Sequence, residues 1–242
     1  MMRAVTAPPE TCPRCNGSGW VPLSAESLRV EACECQGDLR RNQRIASACI
    51  PKRYSHCTLG AFRELSTSLR TAKRRVEEFV DAWPATLDGK GLLLVGPPGC
   101  GKTHLAAAAL LEIINAGKPG RLVFSNFSDL IQQIQASFDA EHLPGKGELL
   151  APLMDADLLV IDELGSQKPT PWVQDIVYYI INTRYSDART TIFTTNYFDS
   201  PAESTLPTLQ ERIGQQVRSR LYEMAWKLDF SNVEDYRKKH KW

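Results

Sequence analysis

The residues with the strongest potential for chemistry form a glycine-rich loop, GPPGCGKT, at residues 96–103. An apolar run, GLLLVG, leads into it, and a helix-forming segment, KTHLAAAALLEIINAG, follows. In this setting the glycines let main-chain N–H groups turn inward around a phosphate, and the helix N-terminus adds its positive end. Lys102 is predicted to reach the β- and γ-phosphates, and Thr103 to ligate Mg²⁺. The predicted ATP-contacting residues are Gly96, Pro97, Pro98, Gly99, Cys100, Gly101, Lys102, Thr103 and His104.

Two adjacent acidic residues follow a second apolar run, LLVIDE, at residues 158–163. Two carboxylates at the end of a buried strand are costly unless a cation lies near them. Asp162 is predicted to bind the Mg²⁺ shell through water. Glu163 is predicted to polarise the water that attacks the γ-phosphate, and this second carboxylate separates a hydrolase from a nucleotide-binding switch.

A third apolar run, TTIFTTN at residues 190–196, ends in Asn196. By itself, an asparagine at such a point is most often a turn residue. Beside a phosphate loop and an Asp–Glu strand, its amide could hydrogen-bond both the γ-phosphate and the attacking water. We therefore place Asn196 with Glu163 among the candidate catalytic residues.

Four of the seven cysteines, Cys12, Cys15, Cys33 and Cys35, lie close to the N-terminus in TCPRCNGSG and EACECQG. Four thiolates can close a tetrahedral zinc site, and a module this small has too little apolar surface to fold without such a staple. CPRCNGSG also resembles the zinc-binding repeats of J-domain chaperones, although the second half here is C-x-C. Free thiols are the alternative to the structural Zn²⁺ that this spacing predicts.

The segments between these motifs alternate between strand and helix patterns from residue 91 onward. Continuous apolar strands that alternate with helices indicate a parallel sheet covered on both faces. A further helix is predicted from residue 66 to 83, since Ser66 can cap it and apolar residues recur on one side. Such an arrangement brings the ends of the strands, and with them the motifs, to one edge of the sheet.

Composition limits the classes of protein that the chain can belong to. Its 242 residues are 43% apolar and 24% charged, which suits one core with a small satellite. The net charge of +1 excludes a polycation, so any nucleic-acid surface must come from local clusters such as RRNQR (40–44) and RTAKRR (70–75). A solvated helix face is the alternative for both clusters. No apolar run approaches a membrane span and no secretory signal is visible, which predicts a cytoplasmic protein with reduced thiols.

These motifs, in this order, resemble the AAA+ ATPases, and more narrowly the DnaC/IstB group of bacterial replicative-helicase loaders and transposition helpers. The resemblance implies an α/β P-loop core with a five-stranded parallel sheet in the order 5-1-4-3-2. It also implies ATP sites shared between neighbouring subunits and a DNA-processing partner. The matching stretches are IPKRYSHCTLGAF (50–62), VGPPGCGKTHLA (95–106), LLVIDELG (158–165), TTN (194–196) and LQERIGQQVRSRLYEM (209–224).

The last of these stretches carries three arginines on a helical pattern: Arg212, Arg218 and Arg220. A solvated basic face is the usual explanation of such a run. The resemblance implies instead an arginine finger that completes a neighbour's ATP site, with Arg220 as first choice and Arg218 as the alternative. The family's tail often reads Gly-x-Asp-Tyr-Arg, whereas VEDYR (233–237) lacks the glycine, and a sensor role for Arg237 stays open.

Taken together, these observations predict a cysteine-rich adaptor module with a linker helix at residues 1–48 and an AAA+ domain at residues 49–242. The expected activity is ATP hydrolysis by a DnaC-like loader that assembles on single-stranded DNA and delivers a replicative helicase. An IstB-like transposition helper is one alternative, and an ATP-switched adaptor with negligible turnover is another. The expected partners are the helicase, single-stranded DNA and further copies of the chain, with no membrane.

Overall fold

The protein is described from a computed structural model over residues 12–23, 29–85, 88–138, 144–200, 207–233 and 235–239. The chain divides into two compact units, Met1–Ala46 and Ser47–Trp242. Among the described helices, none combines the length and the apolar composition that a membrane span requires.

The smaller unit is built around a two-stranded antiparallel sheet of β1 (Trp20–Pro22) and β2 (Val30–Ala32), in which Trp20 lies opposite Ala32. The chain passes from β2 almost directly into α1 (Glu34–Ser47), so that Cys35 lies in the first turn of this helix. No residue of α1 is buried. The buried residues in the described part of this unit are Cys15 and Cys33. The fold of this unit therefore depends on the cysteines more than on an apolar core.

The larger unit is built on a five-stranded sheet, which is covered by helices. Its strands are β3 (Gly91–Val95), β4 (Leu122–Asn126), β5 (Leu158–Asp162), β6 (Thr190–Thr195) and β7 (Ala225–Asp229). A 3₁₀ turn at Lys52–Tyr54 precedes the helices α2 (Thr67–Ala82), α3 (Lys102–Asn115), α4 (Phe127–Ala136), α5 (Lys146–Asp155), α6 (Pro171–Ser186), α7 (Leu209–Ile213), α8 (Gln215–Met224) and α9 (Tyr236–Lys239).

All strand pairs of this sheet are parallel, and their order is β4-β5-β6-β3-β7. Counted from β3 as the first strand, this is the order 5-1-4-3-2, so the predicted fold class is confirmed. The register places Asn126 opposite Asp162 and Val95 opposite Thr195. The carboxyl ends of β3, β4, β5 and β6 therefore meet at one edge, where the motifs lie.

The apolar runs form strands because both faces of the sheet are buried. Leu93, Leu159 and Phe193 face a core that α4, α5, α6, α7 and α8 complete, while α2 and α3 lie against the rest of the sheet. The ends of the helices follow local chemistry: the Ser66 hydroxyl accepts the N–H of Leu69 at the start of α2, as predicted.

A buried arginine joins three elements behind the sheet. Arg184 of α6 is 1% exposed and donates to the carbonyl oxygens of Leu153, Ala156 and Thr190 at 2.6–2.8 Å. It also donates to the hydroxyl of Thr191 at 2.8 Å. Burial lowers the pKa of Arg184 to about 9. The four hydrogen bonds compensate for the lost hydration and join α5, α6 and β6.

Candidate nucleotide site and cysteine cluster

The loop at residues 96–103 has the geometry that a phosphate requires. Gly99 and Gly101 adopt φ of +77° and +99°, a region that favours glycine, and Gly101 immediately precedes α3. The ammonium of Lys102 lies inside the loop and donates to the carbonyl oxygens of Gly96 and Pro97 at 2.7 and 2.8 Å. Lys102 is only 6% exposed, and burial lowers its pKa. An anion in the loop would restore a counter-charge to this ammonium.

The predicted magnesium ligands lie together at the mouth of this loop. The Thr103 hydroxyl donates to Asp162 Oδ1 at 2.8 Å, and the Thr194 hydroxyl donates to the same oxygen at 2.6 Å. Burial raises the pKa of Asp162, and the two hydroxyls oppose that rise. A threonine hydroxyl and a carboxylate are oxygen ligands of the kind Mg²⁺ takes, so the residues present fit this ion.

Glu163 occupies a strained position directly after β5. Its φ is +57°, and its main-chain N–H donates to the hydroxyl of Thr194 at 2.9 Å. The side-chain amide of Asn126, at the end of β4, donates to Glu163 Oε2 at 3.2 Å. Sequence reasoning missed Asn126, although a polar residue that ends a strand at the same sheet edge was the signal that would have found it.

Thr195, the last residue of β6, hydrogen-bonds the segments that follow the neighbouring strands β5 and β3. Thr195 donates through its hydroxyl to the carbonyl oxygen of Leu164 at 2.9 Å, and its own carbonyl accepts the N–H of Gly96 at 3.2 Å. Asn196 follows directly and lies half-buried at the same edge. The structure thus places Asn196 at the sheet edge that also carries Glu163 and the phosphate loop.

A cavity of about 600 Å³ opens beside the loop, and the sequence did not reveal its walls. Phe62 lies 5.6 Å from the His104 ring, and the Arg63 guanidinium lies 5.6 Å from the ring of Tyr236. The His104 ring donates from Nε2 to the carbonyl oxygen of Thr58 at 2.9 Å. Aromatic and apolar walls next to a phosphate loop suit a purine base.

The C-terminal segment closes the other side of this cavity. The N–H of Tyr236 donates to the carbonyl oxygen of Gly99 at 3.1 Å, and Asp235 packs on Gly99 where a Cβ atom would otherwise lie. Phe230 packs on Gly96 in the same way. Asp235 and Phe230 thus approach Gly99 and Gly96 so closely that a side chain at either glycine would clash. The side chain of Arg237 lies outside the described part of the chain.

The structure separates the three arginines of residues 209–224. Arg212 binds main-chain carbonyls, and Arg218 pairs with Asp199 at 2.6 Å. Arg220 instead stacks on α6, with its guanidinium 5.0 Å from the ring of Tyr178 and 5.6 Å from that of Tyr185. Within the described residues its Nη1 atom is buried without a hydrogen-bond partner. Of the two finger candidates, Arg220 is the one whose guanidinium lacks an acidic partner among the described contacts.

Both basic clusters lie on helices and contain ion pairs. The RTAKRR segment forms ion pairs along α2: Lys73 and Arg70 with Glu64 at 2.8 and 3.2 Å, and Arg75 with Glu78 at 2.8 Å. Paired charges of this kind are typical of a solvated helix face. The RRNQR segment lies on α1, where Arg40 and Arg41 are exposed and Arg41 pairs with Asp38 at 3.5 Å.

The four predicted zinc ligands meet in the smaller unit. Their sulfur atoms all lie within 4.8 Å of one another, with Cys12 and Cys33 at 3.8 Å and Cys15 and Cys35 at 3.5 Å. Zinc–sulfur bonds of about 2.3 Å would place the sulfurs of a tetrahedral site about 3.8 Å apart, so the residues present fit Zn²⁺. The C-x-C spacing is enough to bring two sulfurs to the site, because Cys33 lies between the end of β2 and the start of α1 and Cys35 lies in the first turn of α1.

The surroundings of the sulfurs also favour a thiolate. Gly17 and Gly19 have φ of +83° and +76°, and this turn brings the N–H of Gly19 to 3.3 Å from the sulfur of Cys15. Desolvation opposes ionisation of Cys15, but this N–H and the Cys35 thiol lower its pKa to about 6. Cys49 and Cys57 are outside the cluster, exposed and buried respectively.

Comparison with known proteins covers most of the larger unit. The family model described as IstB-like ATP binding protein matches residues 59–242. The replicative helicase loader DnaC of Escherichia coli (strain K12) is 26% identical over 193 residues, which cover 79% of this chain and 76% of DnaC. An insertion sequence ATP-binding protein of Sinorhizobium fredii is 31% identical over 167 residues, which cover 66% of this chain and 50% of that protein.

Solved structures show the same relationship. A crystal structure of the DnaC helicase loader superposes with a TM-score of 0.64 and 33% identity over 76% of this chain and 100% of that chain. A crystal structure of DnaI gives 0.60 and 22% identity over 75% of this chain and 91% of that chain. The initiator DnaA bound to AMPPCP and single-stranded DNA gives 0.57 and 21% identity over 76% and 52%. The last two show likeness of fold alone.

Proposed function

The chain belongs to the family of IstB-like ATP-binding proteins, and from this premise we propose that it is an ATPase that loads a replicative helicase onto single-stranded DNA. The observation that supports ATP hydrolysis most directly is the arrangement of Lys102, Thr103, Asp162 and Glu163 around one loop mouth, with Thr103 and Asp162 only 2.8 Å apart. A binding switch needs the first three of these residues, whereas a hydrolase also needs the fourth.

The proposed reaction uses the chain's own groups as follows. Lys102 binds the β- and γ-phosphates, and Asn196 contacts the γ-phosphate together with the attacking water. Glu163 orients this water and accepts its proton while the new bond to the γ-phosphorus forms and the bond to the β-phosphate oxygen breaks, which releases ADP and phosphate. Mg²⁺, bound by Thr103 and through water by Asp162, would supply positive charge to the phosphate oxygens.

The proposed site is completed by a second copy of the chain. Among the described residues the Nη1 atom of Arg220 is buried and has no hydrogen-bond partner, and two tyrosine rings orient its guanidinium. A cation without an acidic partner suits an anion supplied from outside the subunit. We assign Arg220 as the group that stabilises transition-state charge in the neighbour's site, with Arg218 as the alternative.

Partner binding is assigned to the N-terminal region. The proposed division places a zinc-stapled adaptor at residues 1–48 and the ATPase at residues 49–242, and the two compact units Met1–Ala46 and Ser47–Trp242 support it. Trp20 and Val30 of the adaptor are 51% and 56% exposed. Exposed apolar side chains on a small stapled unit suit a protein partner, and the relative DnaC is a replicative helicase loader.

Single-stranded DNA binding has its best support on the larger unit at the end of α4. Phe138 is 64% exposed and makes an edge contact with Trp172 at 6.2 Å between ring centroids. The ammonium of Lys146, at the start of α5, lies 5.9 Å from the centroid of the Tyr179 ring, and Tyr179 lies on α6 together with Trp172. Exposed aromatic rings with nearby cations are suited to stacking unpaired bases.

The family also supports a second candidate function, an ATPase helper of DNA transposition. The relative from Sinorhizobium fredii is an insertion sequence ATP-binding protein, and it is more identical to this chain than DnaC of Escherichia coli over its matched residues. Both functions use the same ATP site. Pull-downs with the replicative helicase and with a transposase of the same genome distinguish them, since each function requires one of these partners and not the other.

Hydrolysis is tested by steady-state assays with and without single-stranded DNA. Lys102→Ala should lose ATP binding, and Glu163→Gln should bind ATP but turn it over far more slowly. Lys118→Ala is the matched control, because Lys118 also donates to two main-chain carbonyls but lies beyond the other end of α3. If Glu163→Gln matched the unmodified protein under every condition, the hydrolase would be replaced by an ATP-switched adaptor with negligible turnover.

A further inference from the structure

Arg212 makes an unusually complete set of contacts for a half-buried arginine. Its Nε donates to the carbonyl oxygen of Gly165 at 2.6 Å, and its Nη2 donates to those of Ser166 and Gln167 at 3.1 and 2.5 Å. The guanidinium also lies 4.8 Å from the centroid of the Tyr197 ring. Arg212 thus binds three consecutive carbonyls and one aromatic face.

These partners belong to the two loops that follow the site strands. Gly165 comes two residues after Glu163, and Tyr197 comes directly after Asn196. Gly165 has a φ of +84°, and a Cβ atom there would lie 3.1 Å from Cβ of Arg212. The loop therefore approaches α7 closely enough for the arginine to contact both chain segments at once.

Arg212 lies on α7, and Arg220 lies on the next helix. Leu209 at the start of α7 donates its N–H to the carbonyl oxygen of Phe198 at 2.7 Å, and Thr208 and Glu211 form a capping box there. Gly214, with φ +84° and ψ +155°, joins α7 to α8 in a conformation open almost only to glycine. The two helices are thus a continuous connection from the site loops to Arg220.

A second contact attaches α8 to the loop after β6. Arg218 Nε donates to Asp199 Oδ1 at 2.6 Å, and the Tyr222 hydroxyl donates to the other oxygen of the same carboxylate. Asp199 comes three residues after Asn196. Both ends of the α7–α8 pair are therefore bound to the chain segments that contain the proposed catalytic residues of the same subunit.

We propose that Arg212 is a positioning residue that connects the loops of a subunit's own ATP site to the helices that carry Arg220. A displacement of the segment after Glu163, or of Asn196, is passed through Arg212 to α7 and α8. It changes where Arg220 is presented to the neighbouring subunit. This inference rests on the proposed function, because it takes Arg220 as the arginine that acts in trans.

The guanidinium is necessary for this connection because of its shape. Its planar fork carries five N–H donors and can bind several carbonyls at once, whereas a lysine ammonium is a point charge on a flexible chain. Arg212→Lys keeps the charge and loses the fork, so it separates geometry from electrostatics. Arg189→Lys is the matched control, since Arg189 also donates to a main-chain carbonyl, that of Asp155 at 2.9 Å, but precedes β6 at the far edge of the sheet.

The test uses mixed assemblies of full-length chains with ATP and single-stranded DNA. Arg220→Ala subunits retain an intact site but lack the trans arginine, and Glu163→Gln subunits retain the arginine but cannot hydrolyse ATP. Mixing them should restore turnover at the Arg220→Ala sites. Glu163→Gln subunits that also carry Arg212→Lys should restore a turnover rate that is lower by about fivefold or more, which is the lower end of typical allosteric coupling. The corresponding Arg189→Lys subunits should restore it fully.

The controls make each outcome decisive. Thermal unfolding and ATP affinity of the double variant should match those of Glu163→Gln alone, so that a lower rescue reflects the presentation of Arg220. Equal rescue by subunits with and without Arg212→Lys would overturn the positioning role, because a residue that acts only on its own site cannot matter in a subunit already unable to hydrolyse ATP. If the parent mixture shows no rescue, the trans role of Arg220 is itself wrong, and the inference about Arg212 fails with it.

Discussion

The side-chain amide of Asn126 donates a hydrogen bond to the carboxylate of Glu163 at 3.2 Å, and so joins the ends of the neighbouring strands β4 and β5. The other end of the same amide caps α4, since its Oδ1 accepts the N–H groups of Ser128 and Asp129 at 2.9 and 3.3 Å. The proposed catalytic base is therefore bound to the first turn of the helix that leads to Phe138. A shift of α4 on DNA binding would therefore weaken or strengthen the hydrogen bond by which Asn126 restrains the carboxylate of Glu163.

Two substitutions of Asn126 separate its two contacts. Asn126→Ser keeps a good helix cap but is too short to reach Glu163, whereas Asn126→Ala loses both contacts. Both should raise ATP turnover without DNA by about tenfold, the equivalent of one hydrogen bond to a charged group. Only Asn126→Ala should also lower the free energy of unfolding, by about 1 kcal/mol. Unchanged basal turnover in both variants would show that the amide does not restrain Glu163.

We expect the ionised carboxylate of Asp162 to destabilise the nucleotide-free protein at neutral pH. Burial raises its pKa in the folded state, so stability is lost as the pH rises from the unfolded value of about 4 through the folded value. Asp162→Asn should therefore raise the unfolding temperature of the nucleotide-free protein at neutral pH, and the gain should shrink as the pH falls through this window. Added MgATP should stabilise the unmodified protein far more than the variant. The control is the unfolding temperature of Asp81→Asn over the same pH range, because Asp81 is an exposed aspartate of α2.

Arg220 and Arg218 should behave differently when each is changed to alanine. Arg220→Ala should bind ATP normally and lose turnover by about a thousandfold, because a trans arginine acts on the transition state. Arg218→Ala breaks the partly exposed ion pair with Asp199 and should lower stability by about 1 kcal/mol or less, with a smaller loss of turnover. Steady-state assays and denaturant unfolding measure the two effects. The reverse order of the two kinetic losses would make Arg218 the finger.

The cysteine cluster should contain one zinc ion per chain, bound through four sulfurs at about 2.3 Å. Elemental analysis and X-ray absorption measure the content and the ligands. Cys12→Ser should lose the metal, retain ATP binding and lose the protein partner, whereas Cys49→Ser, which changes an exposed cysteine outside the cluster, should lose none of these. Acid should release the metal as the thiolates are protonated. Full partner binding by the metal-free variant would exclude the adaptor role.

The sequence was enough to predict the fold class and to nominate the residues of the candidate nucleotide site. The apolar runs at 91–95, 158–162 and 190–195 form buried strands because both sheet faces are covered. Their order, in contrast, was predicted only from the family resemblance. Lys102, Thr103, Asp162, Glu163 and Asn196 lie at strand ends or at a helix start, positions that short-range spacing specifies. The four cysteines were likewise visible as a set, since metal ligands are recognisable by residue type.

Tertiary structure alone decided which side chains meet across the sheet edge. Nothing in the local sequence joins Asn126 to Glu163, Arg212 to the carbonyls after Glu163, or Arg63 to Tyr236, because each pair is separated by 37 or more residues along the chain. The same holds for the arginines at 212, 218 and 220, which share one helical pattern but have different neighbours. Parallel pairing brings remote strand ends together. The packing of α7 and α8 against the loops after β5 and β6 and against α6 then determines which arginine binds carbonyls, which binds a carboxylate and which lies on tyrosine rings.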